Sequence, residues 1–192
     1  MKEIVKAVVD VSEYVFNRGL VSGKAGNVSA RFKGVDQDII AITPTLKSLA
    51  DLKEEDIILV DENGKNLTKG KPSSEVNMHL EIYKAKPEIN GIVHTHSPYA
   101  TGFAFSNKKI KRLEGFGKIK SEYLAEIEYK KPGTQELADS AANALKNEDV
   151  LILKNHGVIA TGKTVEEASA LVEFTEEIAK TQFVTHMLNS IE

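Results

Sequence analysis

From Lys2 to Arg18 the apolar residues Ile4, Val5, Val8, Val11, Val15 and Phe16 recur three and four positions apart, which predicts an amphipathic helix. Gly19 supplies its C-terminal stop. A turn-rich stretch, Val21-Ser-Gly-Lys-Ala-Gly-Asn27, follows. The β-branched runs Ile39 to Ile42 and Ile57 to Val60 predict strands, the second closed by a turn at Glu62-Asn-Gly64. Pro72-Ser-Ser-Glu75 opens a helix that runs to about Lys86, with serine at its start as a cap. Gly91 to His96 predicts a strand and Pro98 begins a short helix. The stretch 107–131 has no clear period and is expected to hold two short strands. Between Gly133 and Leu145, the residues Leu137, Ala138, Ala141, Ala142 and Leu145 share one helix face. Val150 to Leu153 predicts a buried strand, Asn155-His-Gly157 a tight turn and Val158 to Ala160 another strand. Thr164 begins a final helix that reaches about Leu188. Most segments between strands are too short for parallel crossovers. The expected fold class is therefore α/β of the α+β kind, with helices flanking a mostly antiparallel sheet. No repeat or linker divides the chain, so 1–192 is read as one domain.

Composition narrows the function. The 25 Lys and Arg against 28 Asp and Glu leave a net charge of −3, which argues against a nucleic-acid binder relying on phosphate neutralisation. Without cysteine there is no disulfide, thiolate ligand, iron–sulfur cluster or cysteine nucleophile, so a metal site must use His, Asp or Glu. No apolar run approaches 20 residues, and the N-terminus lacks a signal peptide's apolar stretch. A cytoplasmic protein without a membrane span is expected.

The sharpest chemical feature is His94-Thr-His96 within an apolar strand. Alternation sends both imidazoles to one side with Cα atoms roughly 6.6 Å apart, close enough to converge on one metal. His156 sits in a turn directly after a buried strand, where Gly157 permits close backbone approach. His79 and His186 lie within helices, and an interior or surface position explains either. Glu75 stands at a helix start, among groups that suit anions. The hydroxyls of Ser73, Ser74, Thr43 and Thr45, with the nest of backbone donors that Gly23 to Asn27 can form, suggest a phosphate site beside a metal. The charged run Asp51 to Asp56 and the acidic final helix read as solvated faces.

Taken in order, Gly26-Asn27-Val28-Ser29, Thr43-Pro-Thr45, Pro72-Ser-Ser-Glu75, His94-Thr-His96, Tyr129 with Pro132-Gly-Thr134, and Asn155-His-Gly157 closely resemble the class II aldolase/adducin family over residues 5 to 185. The resemblance implies a central antiparallel sheet with helices on both faces, assembled as a homotetramer. It implies one zinc ion per chain held by His94, His96 and His156, approached by Glu75 as acid/base. It places a sugar phosphate's phosphoryl group among Gly26, Asn27, Thr45, Leu46, Ser73 and Ser74. It also sends Tyr129 into a neighbouring subunit's site as proton donor. The implied reaction is reversible aldol cleavage of a ketose 1-phosphate. The same-fold alternatives are a pentulose-phosphate 4-epimerase, a methylthioribulose-phosphate dehydratase and a non-catalytic adducin-like module. Glu75, where the epimerases carry aspartate, favours the aldolase branch, and the complete histidine set disfavours the non-catalytic one. Two positions depart from the family pattern: Leu46 where glycine is usual, and Lys24 where a small polar residue is usual.

Overall fold

The computed structural model describes residues 1–113 and 121–191. Its helices are α1 (Lys2–Asn17), α2 (Val76–Ala85), α3 (Pro98–Phe105), α4 (Gln135–Leu145) and α5 (Val165–Asn189). Its strands are β1 (Asn27–Phe32), β2 (Ile39–Ile42), β3 (Ile58–Asp61), β4 (Gly91–Thr95), β5 (Ala125–Ile127), β6 (Val150–Leu153) and β7 (Gly157–Gly162). They form one sheet in the order β3-β2-β1-β4-β7-β6-β5. Every pairing is antiparallel except β5 with β6, which α4 joins as a crossover long enough for parallel strands. No helix among the described residues is long and apolar enough to cross a membrane.

Helices cover both faces, so several strands read as unbroken apolar runs. On one face Val8, Val11 and Val15 of α1 and Ala168 and Val172 of α5 pack with Val28, Val93, Val158 and Ala160. On the other, Met78 and Ile82 of α2 and Leu137, Ala141 and Leu145 of α4 pack with Ile40, Ile42, Ile92, Leu151, Leu153 and Ile159. Alternation within each strand divides the side chains between these two cores. The α3 helix is anchored to the first face by the Glu176 carboxylate, which accepts hydrogen bonds from the Tyr99 and Ala100 N–H groups at 2.8–3.1 Å. Those N–H groups belong to a helix's first turn and have no partner within it.

Three expectations change. The sequence pattern gives a turn up to Asn27 and no strand after it before Ile39, yet β1 sits between β2 and β4. Its polar positions Asn27, Ser29 and Arg31 mask the strand pattern, and all three are buried. The second helix begins at Val76 instead of Pro72, because the Ser73 hydroxyl accepts from the Glu75 N–H at 3.2 Å and closes a turn before the helix. In 107–131 the described residues hold β5 and an isolated bridge between Lys111 and Tyr123, and 114–120 lie outside them.

Arg31 explains how a buried strand carries a guanidinium. Its Nη atoms donate to the carbonyls of Tyr83, Lys86, Pro87 and Ile89 and face Asp38 at 3.5 Å. Those carbonyls come from the C-terminal turn of α2 and the loop into β4, where orphaned acceptors favour a cation. The guanidinium also lies over the Tyr83 ring, 4.8 Å from its centre.

Candidate metal centre

β4 and β7 bring the three sequence-predicted histidines together. Their ring centres lie 4.7–5.1 Å apart, edge to face. One nitrogen from each falls within 4.8 Å of the others. His94 is fully buried, and its Nδ1 lies 2.9 Å from the Val158 carbonyl. A carbonyl only accepts, so Nδ1 carries the proton and Nε2 presents a bare lone pair. That Nε2 lies 3.0 Å from His96 Nε2, near the spacing of two nitrogens on one tetrahedral ion.

Glu75 closes the cluster from the first residue before α2. Its Oε2 is 3.3 Å from His94 Nε2 and its Oε1 is 3.5 Å from His156 Nε2. Burial holds all three histidines below their ordinary value. For His94 the effect is large, and the neighbouring His156 and His96 add to it. The three imidazoles are therefore neutral at pH 7, the form that ligates metal. Glu75 Oε1 and His156 Nδ1 are buried without a hydrogen-bond partner. A buried carboxylate oxygen left unpaired among neutral imidazoles is a donor set matched to a cation. The residues fit a metal.

Local geometry explains the convergence. A Cβ on Gly157 would meet the Thr95 carbonyl oxygen and the His96 ring, so only glycine lets β7 lie against these rings. The left-handed backbone of Asn155, at φ 54°, turns the chain so that His156 points back. Gly26, at φ 79°, backs onto the His94 carbonyl, where a Cβ would stand 2.8 Å away.

The loops expected to hold phosphate also meet. Pro44 bridges Pro72, the Thr45 N–H donates to the Lys71 carbonyl at 3.1 Å, and the Ser73 N–H donates to the Thr43 carbonyl at 2.9 Å. Thr45 and Ser73 are thereby juxtaposed, with Ser74 exposed beside them. The Thr43 hydroxyl accepts from the Val28 N–H at 3.2 Å. Leu46 is 76% exposed and adopts φ 59°, a left-handed conformation that glycine takes more readily. Lys24 is exposed in the Gly23–Gly26 turn. Tyr129 is not brought to the histidines of its own chain by any hydrogen bond among the described residues. The residue is 51% exposed.

Sequence reasoning missed a set of residues behind Glu75. Asn27 Nδ2 donates to Glu75 Oε2 at 2.9 Å, and Asn27 Oδ1 meets His79 Nε2. His79 Nδ1 lies 2.7 Å from Ser29 Oγ, which lies 2.9 Å from the Tyr83 hydroxyl. Burial pushes His79 down to about 3 and raises the Tyr83 phenol, so both are neutral at pH 7. The signal was a match of periods. Positions 75, 79 and 83 share a helix face, positions 27, 29 and 31 share a strand face, and one helical turn spans nearly the length of two strand residues.

The chain belongs to the class II aldolase/adducin family: the family described as Class II Aldolase and Adducin N-terminal domain matches residues 6–183. It is 42% identical over 187 residues to an L-fuculose phosphate aldolase of Methanococcus vannielii, covering 97% of this chain and 98% of that one. It is 33% identical to a 3-oxo-tetronate 4-phosphate decarboxylase of Haemophilus influenzae, covering 92% of this chain and 85% of the other. Its fold matches the crystal structure of an L-fuculose-1-phosphate aldolase from Thermus thermophilus with a TM-score of 0.84 at 28% identity, over the full length of both chains.

Proposed function

We propose that the protein is a metal-dependent aldolase that cleaves L-fuculose 1-phosphate reversibly to dihydroxyacetone phosphate and L-lactaldehyde. The observation that carries this reading is the buried Glu75 carboxylate, whose Oε1 has no hydrogen-bond partner, set against three neutral imidazoles. His94, His96 and His156 would hold a divalent ion, zinc in our reading, whose chemistry when bound is Lewis-acid polarisation of carbonyl and hydroxyl oxygens. Gly26, Thr45, Leu46, Ser73 and Ser74 would receive the phosphate and so orient the ketose, with Asn27 lining the same loop while its side-chain amide is held between Glu75 and His79. The Ser73 hydroxyl accepts from the Glu75 N–H, which leaves its own proton available to a phosphate oxygen.

In the cleavage direction a base takes the C4 hydroxyl proton, the C3–C4 bond breaks, and its electron pair forms an enediolate. Tyr129 from a neighbouring copy in a homotetramer is our candidate at the C4 oxygen, and Glu75 our candidate for returning a proton to C3. The exposure of Tyr129 supports its use outside its own chain. No lysine is needed as a nucleophile, since no Schiff base forms.

The similarity to a decarboxylase supports a second reading. Loss of carbon dioxide from a 3-oxo acid phosphate also leaves an enediolate that needs protonation. Assaying the zinc-loaded protein side by side on L-fuculose 1-phosphate, ribulose 5-phosphate, methylthioribulose 1-phosphate and 3-oxo-tetronate 4-phosphate decides between them. We expect dihydroxyacetone phosphate and lactaldehyde from the first at the highest kcat/KM. Carbon dioxide release from the last at a higher kcat/KM would overturn the aldolase reading.

A further inference from the structure

Tyr83, Ser29, His79, Asn27 and Glu75 form a continuous polar chain, sealed between α2 and β1. Chemistry fixes the direction of each bond from the Glu75 end. A carboxylate only accepts, so the Asn27 atom 2.9 Å from Glu75 Oε2 is the amide nitrogen. The Asn27 carbonyl oxygen then faces His79 Nε2, which must carry the imidazole proton. Nδ1 is left as an acceptor and takes the Ser29 hydroxyl proton across 2.7 Å. Ser29 Oγ, having donated, can receive the Tyr83 phenol, whose other acceptor is the Ser29 carbonyl at 3.1 Å. From Ser29 onward every donor points toward Glu75.

We propose that His79 is a positioning residue for Glu75. Its Nε2–H holds the Asn27 amide with the nitrogen toward Glu75, and that nitrogen fixes Oε2 so that Oε1 remains on the histidine side. The inference rests on Glu75 acting as acid/base in the reaction proposed above. The alternatives within the chain are all penalised. A flipped Asn27 amide would set its oxygen against the carboxylate with no proton between them. The opposite His79 tautomer would set two lone pairs together at Asn27, with no proton between Nε2 and Oδ1. The neighbouring contacts of α2 are made by Met78, Leu80 and Ile82, so this interface had an apolar solution available. A polar stripe in such a place is costly unless every member is paired, and here the pairing runs in one direction and terminates on the carboxylate.

The test uses metal-loaded protein carrying His79→Ala, His79→Gln or Ser29→Ala, each with Glu75 intact and with Glu75→Gln. With Glu75 intact, His79→Ala should lower kcat about 10- to 100-fold, the usual size of a loss through a supporting residue. Metal content and KM should stay within about threefold. His79→Gln, whose side-chain amide can donate to Asn27, should recover part of the loss. In the Glu75→Gln background, the same changes should alter kcat less than about twofold, because the residue acted upon is already disabled. Nitrogen-15 spectra of the wild-type imidazole should report the Nε2–H tautomer. If His79→Ala fails to fold, Ser29→Ala carries the test: it removes the donor to Nδ1 and should lower kcat severalfold with Glu75 intact only. Equal losses in both backgrounds, or an Nδ1–H tautomer, would overturn the positioning role while the acid/base reading stands. A Glu75→Gln parent with wild-type turnover would instead overturn the acid/base reading, and this inference with it.

Discussion

Gly157 and Thr95 are in closer contact than any side chain would allow: a Cβ on Gly157 would fall 2.4 Å from the Thr95 carbonyl oxygen. The same Cβ would stand 2.9 Å from the His96 ring and 3.2 Å from the His94 ring. The glycine therefore sets the distance between β7 and the two histidines at the end of β4, His94 within the strand and His96 just after it. Overpacking of this kind costs about 1–3 kcal/mol, because backbone must move to relieve it. Gly157→Ala should lower the free energy of unfolding by that amount and should also release metal at a chelator concentration that leaves the parent loaded. Unchanged metal retention would show that the rings adjust independently of β7.

Acid should destabilise the metal-free protein. Burial holds His79, His94, His96 and His156 below the ordinary histidine value. In the unfolded chain these groups take up protons near pH 6.5, whereas in the fold they stay neutral. The unfolded state therefore binds more protons below that pH, and stability falls with it. For His79, whose value lies near 3, the window runs from about 6.5 to about 3. By pH 5 that residue alone removes about 2 kcal/mol. Thermal melts of metal-free protein should be level from pH 8 to 7 and should fall steadily from pH 6.5 to 5. A Tm that rises over the lower range would reverse the sign and with it the assignment of these groups as neutral.

Leu46 offers a stability test that is independent of catalysis. An exposed leucine at φ 59° carries about 1–2 kcal/mol of backbone strain. Glycine relieves the strain but loses up to about 1 kcal/mol through a freer unfolded chain. Leu46→Gly should leave stability unchanged or raise it by up to about 1 kcal/mol in urea unfolding. A loss larger than that would mean the leucine side chain makes contacts that hold the loop.

Tyr129 tests the assembly in our proposed function. Mixing His94→Ala protein with Tyr129→Phe protein, followed by verified subunit exchange, should restore part of the activity that each lacks. In a hybrid, some sites receive intact histidines from one copy and an intact phenol from the other. No recovery would mean that each chain supplies its own tyrosine, or that the phenol is not used.

Where the sequence was legible, one signal dominated. The helices around Val8, Leu137 and Val172 show clear three-four spacing, and β2, β4 and β6 are apolar runs bounded by turns. The structure reproduces them within a few residues. His94, His96 and His156 stood out because two share a strand face and the third lies in a tight turn beside a glycine. β1 did not stand out, because half its positions are polar yet buried, and burial of a polar group depends on partners 50 residues away. For the same reason His79 looked like an ordinary helix residue: its neighbours on the chain say nothing of Ser29 or Asn27. The start of α2 was misplaced since serine ahead of a helix can close a turn as readily as it can cap.

The position of β1 also bears on how the molecule comes apart. β2 and β3 lie to one side of it, and β4, β7, β6 and β5 to the other, so it is the seam that joins these two parts of the sheet. Neither part can separate while β1 stays paired on both edges, and Arg31 further ties that strand to the end of α2. Opening the seam exposes both layers of core at once, which makes a stable half-unfolded form expensive and the transition cooperative. The backbone amides of β1 that pair across this seam then belong to the slowest class to exchange with solvent, although the strand they occupy is half polar.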